Sequence, residues 1–177
     1  MFLRSIAIAA CCALLTTAGL AQTGDSKPIL SPPATAEVSL NGKQITIHYN
    51  SPRIKGSKVG VEVASYGQVW RTGANPATTL ITTTNLKIGT LEVPAGTYTI
   101  YTLPKSDQWQ LIINKQTGQW GTDYSESMDL GRTPMQGKTL PASQENMSIG
   151  FEQTKGGSTE LHVKWATTDE YVKVQAQ

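Results

Sequence analysis

The clearest indication of the fold comes from residues 36–49, Ala36-Glu-Val-Ser-Leu-Asn-Gly-Lys-Gln-Ile-Thr-Ile-His-Tyr49. Apolar residues alternate with polar ones on both sides of Asn41-Gly42, first in Val38–Leu40 and then in Ile45–Tyr49. Apolar side chains at every second position are typical of strands with one buried face. Asn-Gly tolerates the positive φ angles of a tight type I′ turn, so this stretch predicts a β-hairpin.

The same period of two recurs along the rest of the chain, and no apolar pattern with the helical period extends over three turns. Further strands are predicted at Thr78–Thr84, Leu86–Val93 (broken at Gly89), Thr97–Leu103, Trp109–Asn114, Met147–Phe151, Leu161–Trp165 and Tyr171–Gln175. Many short strands separated by turn residues predict an all-β fold. We expect a single antiparallel β-sandwich or a flattened barrel with long loops.

Two segments lack a sustained strand pattern and are predicted to be the long loops. Ser51–Asn75 is punctuated by glycines, and its alternating residues Val59–Val63 predict at most a short strand or edge. Gln116–Ser143 is rich in Gly, Thr, Ser and Pro. We expect long loops around one or two short elements there.

The N-terminal residues have the features of a secretory signal. Arg4 supplies a positive charge, and Ile6–Leu15 form an apolar run. Gly19 and Ala21 provide the small side chains that a signal peptidase requires before its cleavage site. The protein is therefore predicted to be periplasmic or secreted.

Cleavage after Ala21 divides the chain into a signal peptide (residues 1–21), an extended leader (residues 22–35) and a single β domain (residues 36–177). The apolar run is too short to span a hydrocarbon core of ~30 Å, so no transmembrane segment is predicted to remain. The alternative is a lipoprotein, because Ile8-Ala9-Ala10-Cys11 resembles a lipobox that would make Cys11 a lipidated N-terminus.

Charge and cysteine content exclude several classes of function. The formal net charge is +2 and falls to +1 without Arg4, and the absence of a basic cluster gives no support for nucleic-acid binding. The two cysteines, Cys11 and Cys12, both lie in the predicted signal. The exported domain is therefore expected to have no disulfide, catalytic thiol or cysteine-type zinc site. No cofactor is predicted, and the sequence does not indicate an oligomeric state.

Four motifs together resemble a known family: Ser51-Pro52-Arg53, the string Tyr66-Gly-Gln-Val-Trp-Arg-Thr-Gly-Ala-Asn75, Val93-Pro-Ala-Gly-Thr-Tyr98, and Gln119-Trp120-Gly121. They resemble the bacterial family catalogued as domain of unknown function 2911, and the likeness extends from about residue 31 to residue 174. The resemblance implies a secreted or periplasmic bacterial protein with a β-rich fold and no established activity. Members often place a glutamate where this chain has Pro76, so the resemblance implies no acidic role at that position.

The segment Ser51–Asn75 concentrates the residues best suited to binding: Arg53, Tyr66, Trp70, Arg71 and Asn75. Arginine presents a planar fork of donors that suits carboxylate or phosphate, and aromatic rings provide stacking surface. The segment therefore predicts a site for a small anionic, sugar-like or peptide ligand. The alternative is structural: Arg71 ties loop carbonyls or pairs with a buried carboxylate, Trp70 fills the core, and Asn75 provides turn geometry.

Three residues outside this segment also have two interpretations. Trp120 is either a platform for a sugar ring or a plug under the long loop. His48 and His162 fall on the polar sides of predicted strands, so both are expected on the surface. Neighbouring strands would bring the two imidazoles together, but the spacing indicates no third ligand, and no metal site is predicted.

No residue of the chain is identified as catalytic, because Gly-x-Ser-x-Gly, His-Glu-x-x-His and phosphate-loop motifs are all missing from the sequence. The leading hypothesis is a non-enzymatic exported binding domain with its site around Arg53, Trp70 and Arg71. A hydrolase-type enzyme with scattered acid and base residues is one alternative, and a cleft holding two titratable groups with mutually shifted pKa values would favour it. An envelope assembly protein is the other, and an exposed apolar patch or sheet edge would favour that.

Overall fold

Two antiparallel sheets make up the part of the chain that the structure, a computed structural model, describes: residues 31–177. The predicted signal peptide, the lipobox and most of the predicted leader lie outside these residues. The strands are β1 (Pro33–Leu40), β2 (Lys43–Asn50), β3 (Thr79–Thr82), β4 (Leu86–Ile88), β5 (Leu91–Val93), β6 (Gly96–Leu103), β7 (Gln110–Asn114), β8 (Asp129–Pro134), β9 (Gln136–Lys155) and β10 (Ser158–Ala176). A 3-10 helix at Glu126–Met128 precedes β8.

The strand order is β1-β2-β3-β6-β7-β8 in the first sheet and β5-β4-β10-β9 in the second. Neither sheet closes on itself, so the fold is sandwich-like, and the flattened barrel was the wrong alternative. One apolar cluster contains residues from both sheets, among them Leu40, Ile45, Ile47, Leu86, Ile88, Leu161 and Val174.

The predicted hairpin is confirmed as β1 and β2, whose register closes with Leu40 opposite Lys43. Asn41 and Gly42 both have positive φ angles, 50° and 76°, as a two-residue turn of this type requires. Because β1 begins at Pro33, its first three residues belong to the segment that was predicted to precede the domain.

Long loops around one or two short elements were predicted for Gln116–Ser143, and this prediction is wrong for the second half, which is almost entirely strand. Residues 129–134 form β8, and residues 136–143 open the 20-residue strand β9. Most side chains of residues 136–146 are exposed, so this part of the strand has no apolar alternation from which it could be predicted. The predicted strands Leu161–Trp165 and Tyr171–Gln175 are likewise parts of the single strand β10.

The long loop at Ser51–Asn75 is confirmed, since it contains no regular strand. At most a short strand or edge was predicted around Val59–Val63, and these two valines form only an isolated bridge around a turn. Within the described residues, no helix is long and apolar enough to cross a membrane.

The two histidines lie in different sheets, and the prediction that both are exposed is wrong for His162. His48 on β2 faces outward beside Thr35 of β1, whereas His162 on β10 is 1% exposed. The register of β10 slips on both sides of Ala166, which has a φ of +49°, and Asp169 thereby comes into contact with the imidazole. No cluster suited to a metal ion occurs within residues 31–177.

Carboxylates contact both ring nitrogens of His162. Nδ1 lies 2.7 Å from Asp169 Oδ1, and Nε2 lies 3.2 Å from Glu160 Oε2. Asp169 is fully buried, and the ring of Tyr171 stacks on the imidazole at 5.0 Å between centroids. The cluster of His162, Asp169, Glu160 and Tyr171 therefore holds the part of β10 after the register slip against the part before it.

We expect His162→Ala to lower the free energy of unfolding by about 3 kcal/mol, because it leaves the buried Asp169 carboxylate without its closest partner. His48→Ala removes the same side chain from an exposed position and should change stability by about 0.5 kcal/mol or less. Urea unfolding of both variants provides the measurement. Equal losses in the two variants would contradict the structural role of the cluster.

Candidate functional site

A pocket of about 450 Å³ is lined by β6 of the first sheet, β10 of the second and the long loop Ser51–Asn75. We call it the two-arginine pocket. Its charged and aromatic lining residues are Arg53, Trp70, Arg71, Tyr101, Tyr124 and Trp165. Among the described residues no carboxylate lines it, so the arginines determine the sign of its charge.

Trp70 connects the long loop to both sheets. Its backbone exchanges two hydrogen bonds with Thr102 of β6, of 2.8 and 3.0 Å. Its indole ring stacks on Trp165 of β10 at 5.6 Å between centroids and 10° between planes. It also meets the edge of Trp109 at 6.2 Å. The ring therefore packs against the core, as the structural interpretation expected, and it also lines the pocket.

Buried hydrogen bonds hold the backbone next to Arg71 in an unfavourable conformation. Thr72 has a φ of +51°, in the left-handed region that β-branched residues rarely adopt. Its hydroxyl donates to Thr102 Oγ1 at 3.1 Å, and its carbonyl accepts from the hydroxyl of Thr78 at 2.9 Å. Backbone strain of this kind persists only where surrounding contacts hold the conformation, and it is common at functional sites. Here it fixes the position from which the Arg71 side chain leaves the loop.

The guanidinium of Arg71 is only partly satisfied by protein atoms. Nε donates to the carbonyl of Gly73 at 3.3 Å, so one loop carbonyl is tied, as the structural interpretation expected. Among residues 31–177, however, no carboxylate forms an ion pair with Arg71, and its two terminal nitrogens have no protein acceptor. These two nitrogens form the pair of donors that a bidentate anion would occupy.

Arg53 adds a second cation at a more exposed position. Its Nε lies 3.2 Å from Glu145 Oε1, and the two side chains are 56% and 44% exposed. A surface ion pair of this kind contributes about 0–1 kcal/mol and is easily exchanged. Neither arginine of the pocket is therefore buried against protein acceptors.

The three other predicted site residues do not line this pocket. Tyr66 is half-exposed and lines a second pocket. Asn75 supports the wall, because its carbonyl accepts from the amide of Gly121 at 3.0 Å and its side chain donates to Ser31 O at 3.3 Å. Trp120 is half-exposed, pairs with Pro76 in an isolated bridge and lines neither pocket.

Three aromatic residues of the two-arginine pocket were not predicted from the sequence: Tyr101, Tyr124 and Trp165. Tyr101 and Trp165 were predicted only as strand residues, and Tyr124 falls in a predicted loop, so no local motif marks them. The hydroxyl of Tyr124 donates to Asp129 Oδ2 at 2.7 Å and accepts from Arg132 at 2.9 Å. Burial raises the pKa of Tyr124 to about 12, and the hydrogen bond to Asp129 acts in the same direction. The two hydrogen bonds thus hold the Tyr124 ring in place, and the uncharged ring forms one wall of the pocket.

A second pocket, of about 390 Å³, contains Trp109, the residue that contacts Trp70 edge-on. Tyr66, Lys105 and Asp107 also line it. Its most buried charged residue is Glu170 of β10, which is 8% exposed. Burial raises the pKa of Glu170 to about 7, and the neighbouring Asp169 adds to the shift. We call this the Glu170 pocket.

Residues 31–174 match the model of the family described as "Protein of unknown function (DUF2911)". The match covers most of the chain and confirms the resemblance noted in the sequence: the chain belongs to this family. No curated protein and no solved structure matches it.

We expect Gly121→Ala to disrupt the two-arginine pocket and to lower the free energy of unfolding by about 1–3 kcal/mol. An added Cβ would lie 2.6 Å from Cδ of Arg71 and 2.8 Å from the backbone oxygen of Asn75. Gly150→Ala is the control, since nothing lies within 4 Å of its added Cβ. Urea unfolding should separate the two variants, and similar stabilities would contradict the close packing of Arg71 over Gly121.

We expect the stability of the wild-type protein, relative to Glu170→Gln, to fall as the pH rises from about 4.5 to about 7. Burial raises the pKa of Glu170 from its usual 4.5 to about 7. In this window the folded state keeps a proton that the unfolded state has lost, so raising the pH favours unfolding. Above about pH 7 the difference should level off. Urea unfolding across this range is the measurement, and a difference independent of pH would contradict the burial of a titrating Glu170.

Proposed function

From membership of this family and the geometry of the two-arginine pocket, we propose that the protein is a non-enzymatic domain that binds a small anionic ligand. One observation carries the proposal: Arg71 presents unpaired guanidinium donors to a pocket without carboxylates. Guanidinium donors that face a pocket without a protein acceptor are available to a ligand of opposite charge.

The donors of Arg71 favour a carboxylate or a phosphate. A guanidinium binds either group through two parallel hydrogen bonds, and such charge-assisted bonds are stronger than neutral ones. Arg53 is a second cation at the same pocket, held only by an exposed ion pair. It reinforces the preference for a negative ligand and provides a second contact for a larger anion.

The aromatic walls favour a ligand that also has a flat apolar face. Trp70 and Trp165 stack on each other and both line the pocket, together with Tyr124. Rings of this type pack against aromatic rings and against the apolar faces of sugars. A carboxylate attached to a ring, such as an aromatic acid or a uronic acid, therefore combines the two features of the pocket.

Binding is favoured over hydrolysis because this pocket lacks the pair of groups that acid–base chemistry needs. Its described lining contains no carboxylate and no histidine. The positive charges attract an anion, but none of the lining side chains is suited to accept a proton near neutral pH.

The compartment is part of the same proposal. The features of residues 1–21 support export to the periplasm or the medium, where small metabolites are available to a binding domain. A lipid anchor at Cys11 would keep the same domain at a membrane surface without changing the pocket.

The test is thermal unfolding of the purified protein with benzoate, glucuronate or phenyl phosphate, each compared with a neutral analogue. A ligand at ~100 times its dissociation constant adds about 2.7 kcal/mol to stability. For a domain of this size that is a rise of about 5–10 °C in Tm. We expect a rise of this order with at least one anion and not with its neutral analogue.

Arg71→Ala should abolish the rise, and Arg71→Lys should weaken it because lysine cannot form the bidentate pair. Lys87→Ala is the charge-matched control, since Lys87 is exposed on β4 and lines neither pocket. A rise that persists in Arg71→Ala, or that Lys87→Ala removes equally, would contradict the proposed site. If none of the three anions stabilises the protein, the proposal fails for this ligand class.

A further inference from the structure

We propose that the Glu170 pocket is a separate site for an organic ammonium group, with the Glu170 carboxylate as its counter-ion and the rings of Tyr66 and Trp109 as its walls. This site does not depend on the anion site proposed above. It lies in a different pocket, uses a group of opposite charge, and shares with the anion site only the contact between Trp70 and Trp109.

The Glu170 side chain is largely buried, and its carboxyl group opens to the pocket without a protein partner among residues 31–177. Glu170 is 8% exposed, and among residues 31–177 nothing donates a hydrogen bond to it or forms an ion pair with it. The carboxyl lies directly over Gly137 of β9, where an added Cβ would be 2.8 and 3.2 Å from its two oxygens. The fold therefore leaves space for this carboxyl group but provides no donor for it.

A buried carboxylate is stable only if it is neutralised. In the protein alone, a proton neutralises Glu170, because burial raises its pKa to about 7. A cation that enters the pocket can replace that proton, since a nearby positive charge favours the ionised carboxylate. Near neutral pH, the carboxyl group of Glu170 can therefore exchange its proton for a bound cation at little cost in free energy.

The charged groups around Glu170 also favour a cation. Lys105 and Asp107 both stand on the exposed turn between β6 and β7, and their opposite charges offset each other at the rim. Asp169, next to Glu170 in β10, adds negative potential. Lys138 of β9 lies 3.5 Å from the Asp169 carboxylate and stands over the ring of Tyr171, so it is engaged outside the pocket.

An organic ammonium fits the pocket better than a metal ion does. Metal sites usually have three or more protein ligands, whereas Glu170 is the one buried carboxylate among the described lining residues. Aromatic rings attract ammonium groups through their faces and pack against the attached carbon skeleton. Tyr66, which is half-exposed, and Trp109, which is buried, provide such rings. A volume of about 390 Å³ is in the range typical of small-molecule sites.

The proposal predicts a specific dependence on pH. An ammonium group binds the ionised form of Glu170, so below a pH of about 7 binding must release a proton. Affinity should therefore increase from about pH 5.5 to about pH 8, by more than tenfold for a group with this pKa. A nonspecific hydrophobic contact with the two aromatic rings would show no such increase.

The experiment is calorimetric titration of the full purified protein with phenethylamine at these two pH values. Phenylethanol, a neutral molecule of the same shape, and phenylacetate, an anion, serve as comparison probes. We expect phenethylamine to bind more than tenfold more tightly at the higher pH, and both comparison probes to bind more weakly than the amine. Equal affinity for the three probes, or an amine affinity that does not increase with pH, would overturn the proposal.

Glu170→Gln keeps the shape of the side chain and removes a buried acid, so this variant is expected to fold. It should lose at least tenfold in amine affinity at the higher pH and should lose the pH dependence. Glu92→Gln is the control for charge, because Glu92 is exposed on β5. Amine binding that is unchanged in Glu170→Gln, or reduced equally in Glu92→Gln, would overturn the assignment of the counter-ion.

A small free amine and a lysine side chain present the same chemistry. An N-acetylated pentapeptide with one central lysine, titrated in parallel, distinguishes the two sources. Tighter binding of the peptide assigns the site to an extended polypeptide, and tighter binding of phenethylamine assigns it to free amines. Either result supports the ammonium site if Glu170→Gln abolishes it, and the absence of binding by both probes at the higher pH would overturn it.

Discussion

The stack of Trp70 on Trp165 is the contact on which the rest of this architecture depends. Two backbone hydrogen bonds to Thr102 hold Trp70 on the first sheet, and its ring lies flat against a residue of β10 in the second. The long loop that contains Arg71 therefore cannot move independently of the sandwich. Because Trp109 contacts the edge of Trp70, the same aromatic group separates two pockets. The position of both pockets is thus a consequence of how the two sheets are joined.

The two pockets contain unpaired groups of opposite charge. Arg71 in one pocket lacks a carboxylate partner, and Glu170 in the other lacks a donor, among the residues that the structure describes. Charged groups that face a pocket without a protein partner are available to ligands of opposite charge. His162 differs from both, because it is almost completely buried and has a carboxylate at each ring nitrogen. His162 is thus held by protein partners, whereas Arg71 and Glu170 present their charged groups to the pockets.

Local sequence patterns predicted the parts of the fold that local forces determine. The hairpin at Asn41-Gly42 followed from alternation and turn chemistry, and Arg53, Trp70 and Arg71 lie at one pocket because a single loop carries them. The first half of β9 was missed because its exposed side chains carry no alternation. The slip in register around Ala166 brings Asp169 against His162, and no pattern in the sequence indicates it. Trp165 meets Trp70 only through the tertiary fold, so sequence spacing could not assign it to the pocket.

NMR is the most direct way to test whether Arg71, Trp70 and Trp165 form one anion site. The chain has four tryptophans, so the indole N–H signals of Trp165 and Trp120 report on a residue inside the site and one outside it. On titration with benzoate, we expect saturable shifts of the Arg71 Nε and Trp165 indole signals, while the indole signal of the half-exposed Trp120 stays unchanged. If the Arg71 and Trp165 signals do not move, or if only Trp120 responds, the proposed anion site is wrong.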